Sequence, residues 1–584
     1  IVLKEIVNCQ YTACMNPTAG SFIINPRLQR LFMTLAMDFP GQDSLMKIYG
    51  TFLQGHLKKF KEDVQDMSTK ILQAALALHD KVSSTFRKTA INFHYEFTVR
   101  HLANVFQGLL MSTPELFNST TKWGKLWLHE SERVYADRLV TLTDLEAYSK
   151  AAVAIAKKYF SVSDVDDYYK KKDPKPLIFC HFARGLADKS YDEVEDYASL
   201  YKTLMEALNE YNETNAVMDL VLFEDAMKHV CRISRIVSNP SGHALLVGVG
   251  GSGKQSLSRL AAHICGYTTI TIVISGSYSM NNFKEDIQKM YKRAGLKGEG
   301  ILFLFTDSQI VDERMLVYIN DLLSSGEIPD LFPQEDKDEI VNAMRSETKS
   351  LGLIDTAENC WSVFIQKVKT NLHMVFTASP VGENFRIRSQ RFLATVTSTV
   401  IDWFQPWPES SLFSVAKKFL DEIDLGEDYL RNAVVEFMPY SFALVNKVSK
   451  KFFEVERRYN YTTPKTFLEL IKLYKNVLLR KRKQTQDNID RLENGLNKLH
   501  KVQGEVDLLV EAAKVMAVEV EQKVASANVF AEQVGIEKEK VNAENAAAQV
   551  EAEKCAEIAK EVSEKQASCE RDLAAAEPLV AQAE

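Results

Sequence analysis

The residues best placed to do chemistry are Gly248-Val249-Gly250-Gly251-Ser252-Gly253-Lys254, with Gln255 and Ser256 directly after them. Glycines let the backbone curl so that successive N–H groups aim at one anion, and a lysine closing such a loop reaches the outer oxygens of a polyphosphate. The arrangement needs a strand before it and a helix after it, because the helix N-terminus adds positive potential at the same point. The apolar run Ala244-Leu245-Leu246-Val247 and the helical pattern from Ser256 to Ala262 supply these elements. The stretch therefore reads as a site for nucleotide phosphates. A Ser or Thr hydroxyl that binds Mg²⁺ normally follows the lysine. Here Gln255 follows, and Ser256 is rotated by about 100° around the helix. Phosphate binding is expected to survive this change, while metal placement is weakened.

The other half of such a site is an apolar strand that ends in an acid. Gly300-Ile301-Leu302-Phe303-Leu304-Phe305-Thr306-Asp307 fits, with Asp307 placed to hold Mg²⁺, usually through water. Where this layout hydrolyses nucleotide, the next residue is a glutamate that polarises the attacking water. This chain has Ser308 there, and a hydroxyl without a partner base does not take a proton at neutral pH. The expectation is a site that binds nucleotide and turns it over slowly or not at all. A similar acidic run, Leu220-Val221-Leu222-Phe223-Glu224-Asp225, precedes the glycine loop and is rejected as the catalytic acid.

A chain of 584 residues suggests about three or four domains. A net charge of −7 argues against a general nucleic-acid binder, and no apolar run reaches the roughly 20 residues of a membrane span. The start, Ile1-Val2-Leu3-Lys4-Glu5, has no signal-peptide layout and lacks Met, so the expected reading is a piece cut from a longer chain. Eight cysteines lie scattered without a CxxC pair or His cluster, and are expected as buried thiols in a reducing compartment, Cys9 and Cys14 flanking a buried strand.

The chain also repeats itself. Cys14-Met15-Asn16-Pro17 followed by Arg27-Leu28-Gln29-Arg30 parallels Thr377-Ala378-Ser379-Pro380 followed by Arg388-Ser389-Gln390-Arg391. Each copy reads as apolar strand, polar residue, Pro, and paired arginines on a helix, then a Pro-containing hinge, Asp38-Phe39-Pro40 or Asp402 to Pro408. Thr98-Val99-Arg100 in the first copy corresponds to Thr463-Pro464-Lys465 in the second. The expectation is the tail of one α/β nucleotide module and the whole of a second, each closed by a helical lid. Asn16 and Ser379 end the sensing strands, where they would contact the γ-phosphate or the attacking water. Arg27, Arg30, Arg388 and Arg391 sit where a neighbouring module's phosphates come within reach of a permanently charged, bidentate fork.

From Ile489 to Val580 an apolar residue recurs at 3–4 spacing, broken only by Gln503, Lys538, Asn545 and Gln566. About 13 heptads of seam far exceed a globular helix and would extend on the order of 130 Å. One helix cannot bury its own seam, so a partner helix is required. Many seam positions are Ala, which fixes register weakly, so the coil is expected to slip by a few residues and carry a signal. Pro578 should break it near the end.

Taken together, GVGGSGKQSLSRLAA, ILFLFTDSQ, IDWFQPWP, LVLFEDAMKHVCRI and the coil straight after the lid resemble the dynein heavy chain over essentially the whole sequence. The Ser after Asp307 is similar to axonemal chains, with outer-arm type the expected group. The resemblance implies α/β, AAA+ P-loop NTPase modules, each a parallel sheet with helices plus a helical lid, followed by one strand of a long antiparallel coiled coil. It implies residues 1–40 as the end of the third module's large subdomain, 41–135 as its lid and 136–174 as a connection. Residues 175–405 would be the fourth module's large subdomain, 406–478 its lid and 479–584 the outgoing stalk strand. It further implies a minus-end-directed microtubule motor of cilia or flagella, in the cytoplasm, cytoskeleton and axoneme, with this fourth module a regulatory site for ATP or ADP with Mg²⁺.

The same resemblance places adenine near Val221, Leu222 and Phe223 and puts Lys465 at the lid's sensing position, where Arg is usual. Arg388 and Arg391 would serve the third module's nucleotide and Arg27 and Arg30 the second's, while Asn16 and Arg100 belong to the third module's own site. Implied partners are the other modules of the ring, the returning stalk strand, microtubules at the stalk tip, and intermediate and light chains, with no nucleic acid and no membrane. Two rival readings remain: a structural scaffold with an empty pocket, and an SMC-type coiled-coil ATPase. The latter needs an LSGGQ signature ahead of the acidic strand, whereas Leu323-Ser324-Ser325-Gly326-Glu327 follows Asp307.

Overall fold

The computed structural model describes residues 7–15, 24–160, 165–169, 175–421, 423–534, 550 and 552–568. Asn16, Pro578 and the seam positions between 535 and 549 and beyond 568 lie outside them. Two compact units divide at Lys475/Asn476.

The first unit begins with an exposed, irregular segment, residues 7–15. No strand forms there, and Cys9 and Cys14 are exposed rather than buried. Backbone in a strand needs ladder partners, and this segment has none among the described residues. Cys555 is exposed too and Cys265 half-buried, whereas Cys180, Cys231 and Cys360 are buried as expected. Arg27 and Arg30 lie at the end of the short helix Pro26–Gln29, both exposed.

A helical layer follows, built from Gln42–Leu57, Ser68–Thr85, Val99–Leu109, Thr120–Ser131 and Leu142–Tyr159. Their apolar stripes share one core, with Trp123, Trp127, Leu126 and Tyr148 almost fully buried. The stretch expected as a connection, 136–174, is therefore not a linker: the helix Leu142–Tyr159 adds Tyr148, Ala152, Val153 and Ala156 to that core. Thr120–Ser131 runs on into a π-helical turn, Glu132–Ala136.

A hairpin of β1 (Phe179–Cys180) and β2 (Asp192–Glu193) precedes the main sheet. That sheet holds β3 (Ala244–Val247), β4 (Thr268–Ile270), β5 (Ile301–Thr306), β6 (Leu372–Ala378) and β7 (Val400–Trp403) in the order β4-β5-β6-β3-β7, all parallel. Register pairs Leu246 with Thr377, Val247 with Trp403 and Thr306 with Thr377. Helices cover both faces, so the central strands read as continuous apolar runs rather than alternating ones. Leu245, Val247, Phe303 and Phe305 enter one core layer, and Ala244, Leu246, Leu302 and Leu304 enter the opposite one.

Three helical elements follow the sheet where the second lid is expected: Glu409–Asp421, Asp428–Glu456 and the start of a 71-residue helix, Pro464–Val534. The expected boundary at 478/479 falls inside this unbroken helix. In the second unit the described seam residues Leu492, Leu496, Leu499, Val506 and Val520 are exposed, as a coil strand without its mate must be. Residues 552–568 are helical as well.

Candidate nucleotide site

The carboxyl ends of β3, β5, β6 and β7 converge on one cleft, the place where parallel α/β sheets gather ligands. β3 delivers the glycine loop. Gly251 and Gly253 have φ of +77° and +88°, a conformation that side chains resist. A Cβ at Gly251 would stand 2.8 Å from the Lys465 nitrogen and closer still to its Cβ, whereas one at Gly250 would meet nothing within 4 Å. The loop is thus packed from behind and open in front. Gly253 then caps the helix Lys254–Cys265, which ends at Gly266.

A cavity of about 950 Å³ lies against this loop, lined by Gly250 through Leu257, Asp307, Ser308 and Ser379. Gly248 and Val249 do not line it; their carbonyls accept from Lys254 Nζ at 2.6 and 2.9 Å. Burial lowers the Lys254 ammonium to about 8, against the pull of Asp307. Asp307 Oδ2 accepts the Ser379 N–H at 3.0 Å, which ties the ends of β5 and β6 together. The Ser308 hydroxyl lies 2.9 Å from the Thr306 hydroxyl, a partner that is no base.

These residues suit a polyphosphate: the glycine loop, a helix N-terminus and Lys254 border one space, and a Cβ at Gly250 would meet nothing within 4 Å. For Mg²⁺ the fit is partial. Asp307 supplies a carboxylate at the phosphate end and Ser256 also lines the cavity, but Gln255 stands at the usual hydroxyl position. Such a cation takes one or two protein ligands with phosphate and water.

Other expected residues fall in mixed places. Val221 and Phe223 line the cavity, but Leu222 does not: it is buried in the core layer that also holds Val230 and Leu257. Lys465 packs its backbone on Gly251, while its ammonium lies 3.8 Å from Glu469 and the residue does not line the cavity. Arg391 is exposed and paired with Glu313. Arg388 lines an adjoining hollow of about 280 Å³ together with Asp307, Ser308 and Ser379, on its own module's side. Arg100 is exposed on the helix Val99–Leu109.

Comparison with known proteins fits this geometry. Residues 218–477 match the family described as the P-loop containing dynein motor region D4, and residues 1–40 a P-loop containing dynein motor region. Residues 71–171 match an AAA+ lid domain and residues 490–584 the microtubule-binding stalk of the dynein motor. The dynein alpha chain of the Chlamydomonas reinhardtii flagellar outer arm is 89% identical over 99% of this chain. The chain belongs to the dynein heavy-chain family. The ciliary dynein beta chain of Tripneustes gratilla is 48% identical over 99% of the chain, and the beta chain of the Chlamydomonas reinhardtii flagellar outer arm is 45% identical over its full length. The chain spans 13% of the length of each of these dynein heavy chains.

Several cavity residues escaped the motif reading. Glu132, Arg133, Tyr168 and Tyr169 come from the preceding helical layer, and His229, Arg232, Trp403, Phe404 and Trp407 from this module. Phe223 and Trp407 meet edge to face at 5.0 Å. The second group sits inside two stretches that carried the dynein resemblance, LVLFEDAMKHVCRI and IDWFQPWP. The first group has no local signal, because nothing in a linear pattern says that a lid wall faces the next module's cleft.

Proposed function

We propose that this chain is the third-to-fourth-module and stalk portion of an axonemal, minus-end-directed microtubule motor ATPase. Its fourth module binds ATP or ADP as a regulatory site with weak or no hydrolysis. The observation that carries this is the pairing of a well-formed phosphate loop around Lys254 with a strand end at which Ser308, among the described residues, has the Thr306 hydroxyl and no base as partner. Bound Mg²⁺ would neutralise phosphate charge, with Asp307 its protein ligand. Lys254 would leave the Gly248 and Val249 carbonyls for the outer phosphates, and Ser379 would hold Asp307 in place. Val221, Phe223 and Trp407 offer an apolar slot for the base.

Relay to the stalk is supported by Lys465, which packs on Gly251 at the root of the helix Pro464–Val534. Within the whole heavy chain this segment would work with the other ring modules, the returning stalk strand, microtubules, and intermediate and light chains in the axoneme. The test is nucleotide retained through purification, together with turnover at millimolar ATP. Retention with turnover far below about 1 s⁻¹, the low end of ordinary enzymes, is expected. An empty site at millimolar ATP would favour the scaffold reading, and motor-like turnover would overturn the regulatory one.

A further inference from the structure

The phosphate loop is joined to the preceding lid by a continuous chain of packed and charged groups. It starts at Gly248, where a Cβ would stand 2.7 Å from Phe404 Cβ. The Phe404 ring stacks on His229 with centroids 3.8 Å apart and planes within 3°. His229 Nδ1 lies 2.6 Å from Asp402 Oδ2, and Arg232 Nη1 donates to Asp402 Oδ1 at 3.0 Å. The other arm of the Arg232 fork is 3.1 Å from Asp137 Oδ1, and Arg133 Nε is 2.8 Å from Asp137 Oδ2. Arg133 belongs to the π-helical turn that continues Thr120–Ser131, and Asp137 is the residue directly after it.

Backbone bonds run beside this chain. Trp403 N–H donates to the Asp137 carbonyl and Phe404 N–H to the Val247 carbonyl, both at 2.8 Å. Two consecutive residues thus bond to two different modules. Gln405 Nε2 adds a bond to the Leu139 carbonyl at 3.0 Å.

Asp402 and Asp137 are 1% and 7% exposed, so these charges lie in a low-dielectric setting where a broken partner is costly. Arg133, His229, Arg232 and Phe404 also line the nucleotide cavity. A contiguous set of buried ion pairs and stacked rings is the kind of structure that transmits coupling between sites.

We propose that Arg232 and Asp402 are positioning residues for nucleotide at the Gly248–Lys254 loop, and that through Asp137 and Arg133 they make its affinity depend on the preceding lid. The inference rests on the nucleotide reading above. Asp402 holds His229, His229 holds the Phe404 ring, and Phe404 sets how far Gly248 can move as phosphate enters. Arg232 spans the two carboxylates because its planar fork can meet one with each arm, which a lysine cannot do.

The experiment measures the dissociation constant of a fluorescent ADP analogue for the 584-residue chain, with circular dichroism and thermal unfolding recorded in parallel. Asp402→Asn and Arg232→Lys are compared with Arg133→Met, whose guanidinium pairs with Glu132 and Asp137. Asp402→Asn and Arg232→Lys should each weaken binding by about 5- to 150-fold, the span of ordinary coupling energies, with helix content retained. Arg133→Met should weaken it less, and should add nothing once Asp402→Asn is present, since the chain is already cut. Unchanged affinity in a destabilised but folded Asp402→Asn or Arg232→Lys would overturn the proposal and leave the chain a purely structural joint. Strictly additive effects of Arg133→Met and Asp402→Asn would overturn the link to the lid. Absence of binding in the unsubstituted chain would instead overturn the nucleotide reading itself.

Discussion

Replacing a helical glycine by alanine normally stabilises a helix by about 1 kcal/mol. Gly108, inside Val99–Leu109, should do the opposite. A Cβ there would stand 2.8 Å from Arg235 Nη2 and closer still to the Glu130 carboxylate. Those two groups form an ion pair, with Glu130 0% and Arg235 3% exposed; Arg235 Nε donates at 2.9 Å, and the Tyr191 hydroxyl donates to the other carboxylate oxygen. The added methyl must displace the pair, and breaking a buried pair costs about 3–5 kcal/mol. Net of the helix gain, Gly108→Ala should lose about 2–4 kcal/mol. Urea titration followed by tryptophan fluorescence reads this region, since Trp123 and Trp127 are buried in the same layer. In a Glu130→Ala background the added cost should shrink, because the nearest clash and the ion pair are then gone and Arg235 Nη2 is the remaining close neighbour. A Gly108→Ala chain as stable as its parent would refute the reasoning, as would full additivity with Glu130→Ala.

Three further outcomes are expected. Ser308→Glu should raise ATP turnover of the isolated chain by about 10²–10⁴-fold, the usual worth of a placed general base; no gain would count against the missing-base account. Burial lowers Lys254 to about 8, and its charged form is the one that grips phosphate, so affinity should be full near pH 7 and fall as pH rises through 8, by up to about tenfold per unit. Fluorescent ADP titrations between pH 7 and 9.5 check this, and a flat profile would refute a lowered Lys254 that grips phosphate. Gly251→Ala would force a side chain into positive φ, which costs about 1–2 kcal/mol, and against the Lys465 backbone; it should weaken binding at least about tenfold, read by the same titration.

The parts of the fold legible in the sequence are those whose pattern is set by burial on both sides. Ala244–Val247 and Ile301–Thr306 are apolar without interruption because both faces of the sheet are covered. The loop between Val247 and Lys254 is legible for a different reason: positive φ at Gly251 and Gly253 restricts residue choice more than packing does. The buried strand expected between Cys9 and Cys14 does not form, because apolar content describes a segment and not its ladder partners. Leu222 was misassigned because Val221, Leu222 and Phe223 alternate in direction: the outer two reach the cavity and the middle one the core. The ion chain from Arg133 to Asp402 has no signature in the sequence, since Arg232 pairs with Asp137 and Asp402 about 95 and 170 residues away and a charged residue reads as solvated until its partner is known.

The composite wall of the cavity changes what affinity means for this module. Were the site enclosed by its own subdomain, nucleotide would report only its own concentration. Instead Glu132 and Arg133 of one lid face the cleft from one side, while Lys465, at the root of the long helix, backs the loop at Gly251. Gly248 and Gly251, three positions apart, are each pressed by a different neighbour, Phe404 or Lys465. A loop gripped at two points cannot shift at one without straining the other, because packed interiors respond by discrete rearrangement rather than smooth deformation. Fast hydrolysis would reset the loop continually and blur that state. Under the proposed function a long-lived nucleotide would hold it, which is the property a regulatory module requires and the reason Ser308 at the end of β5 matters to that proposal.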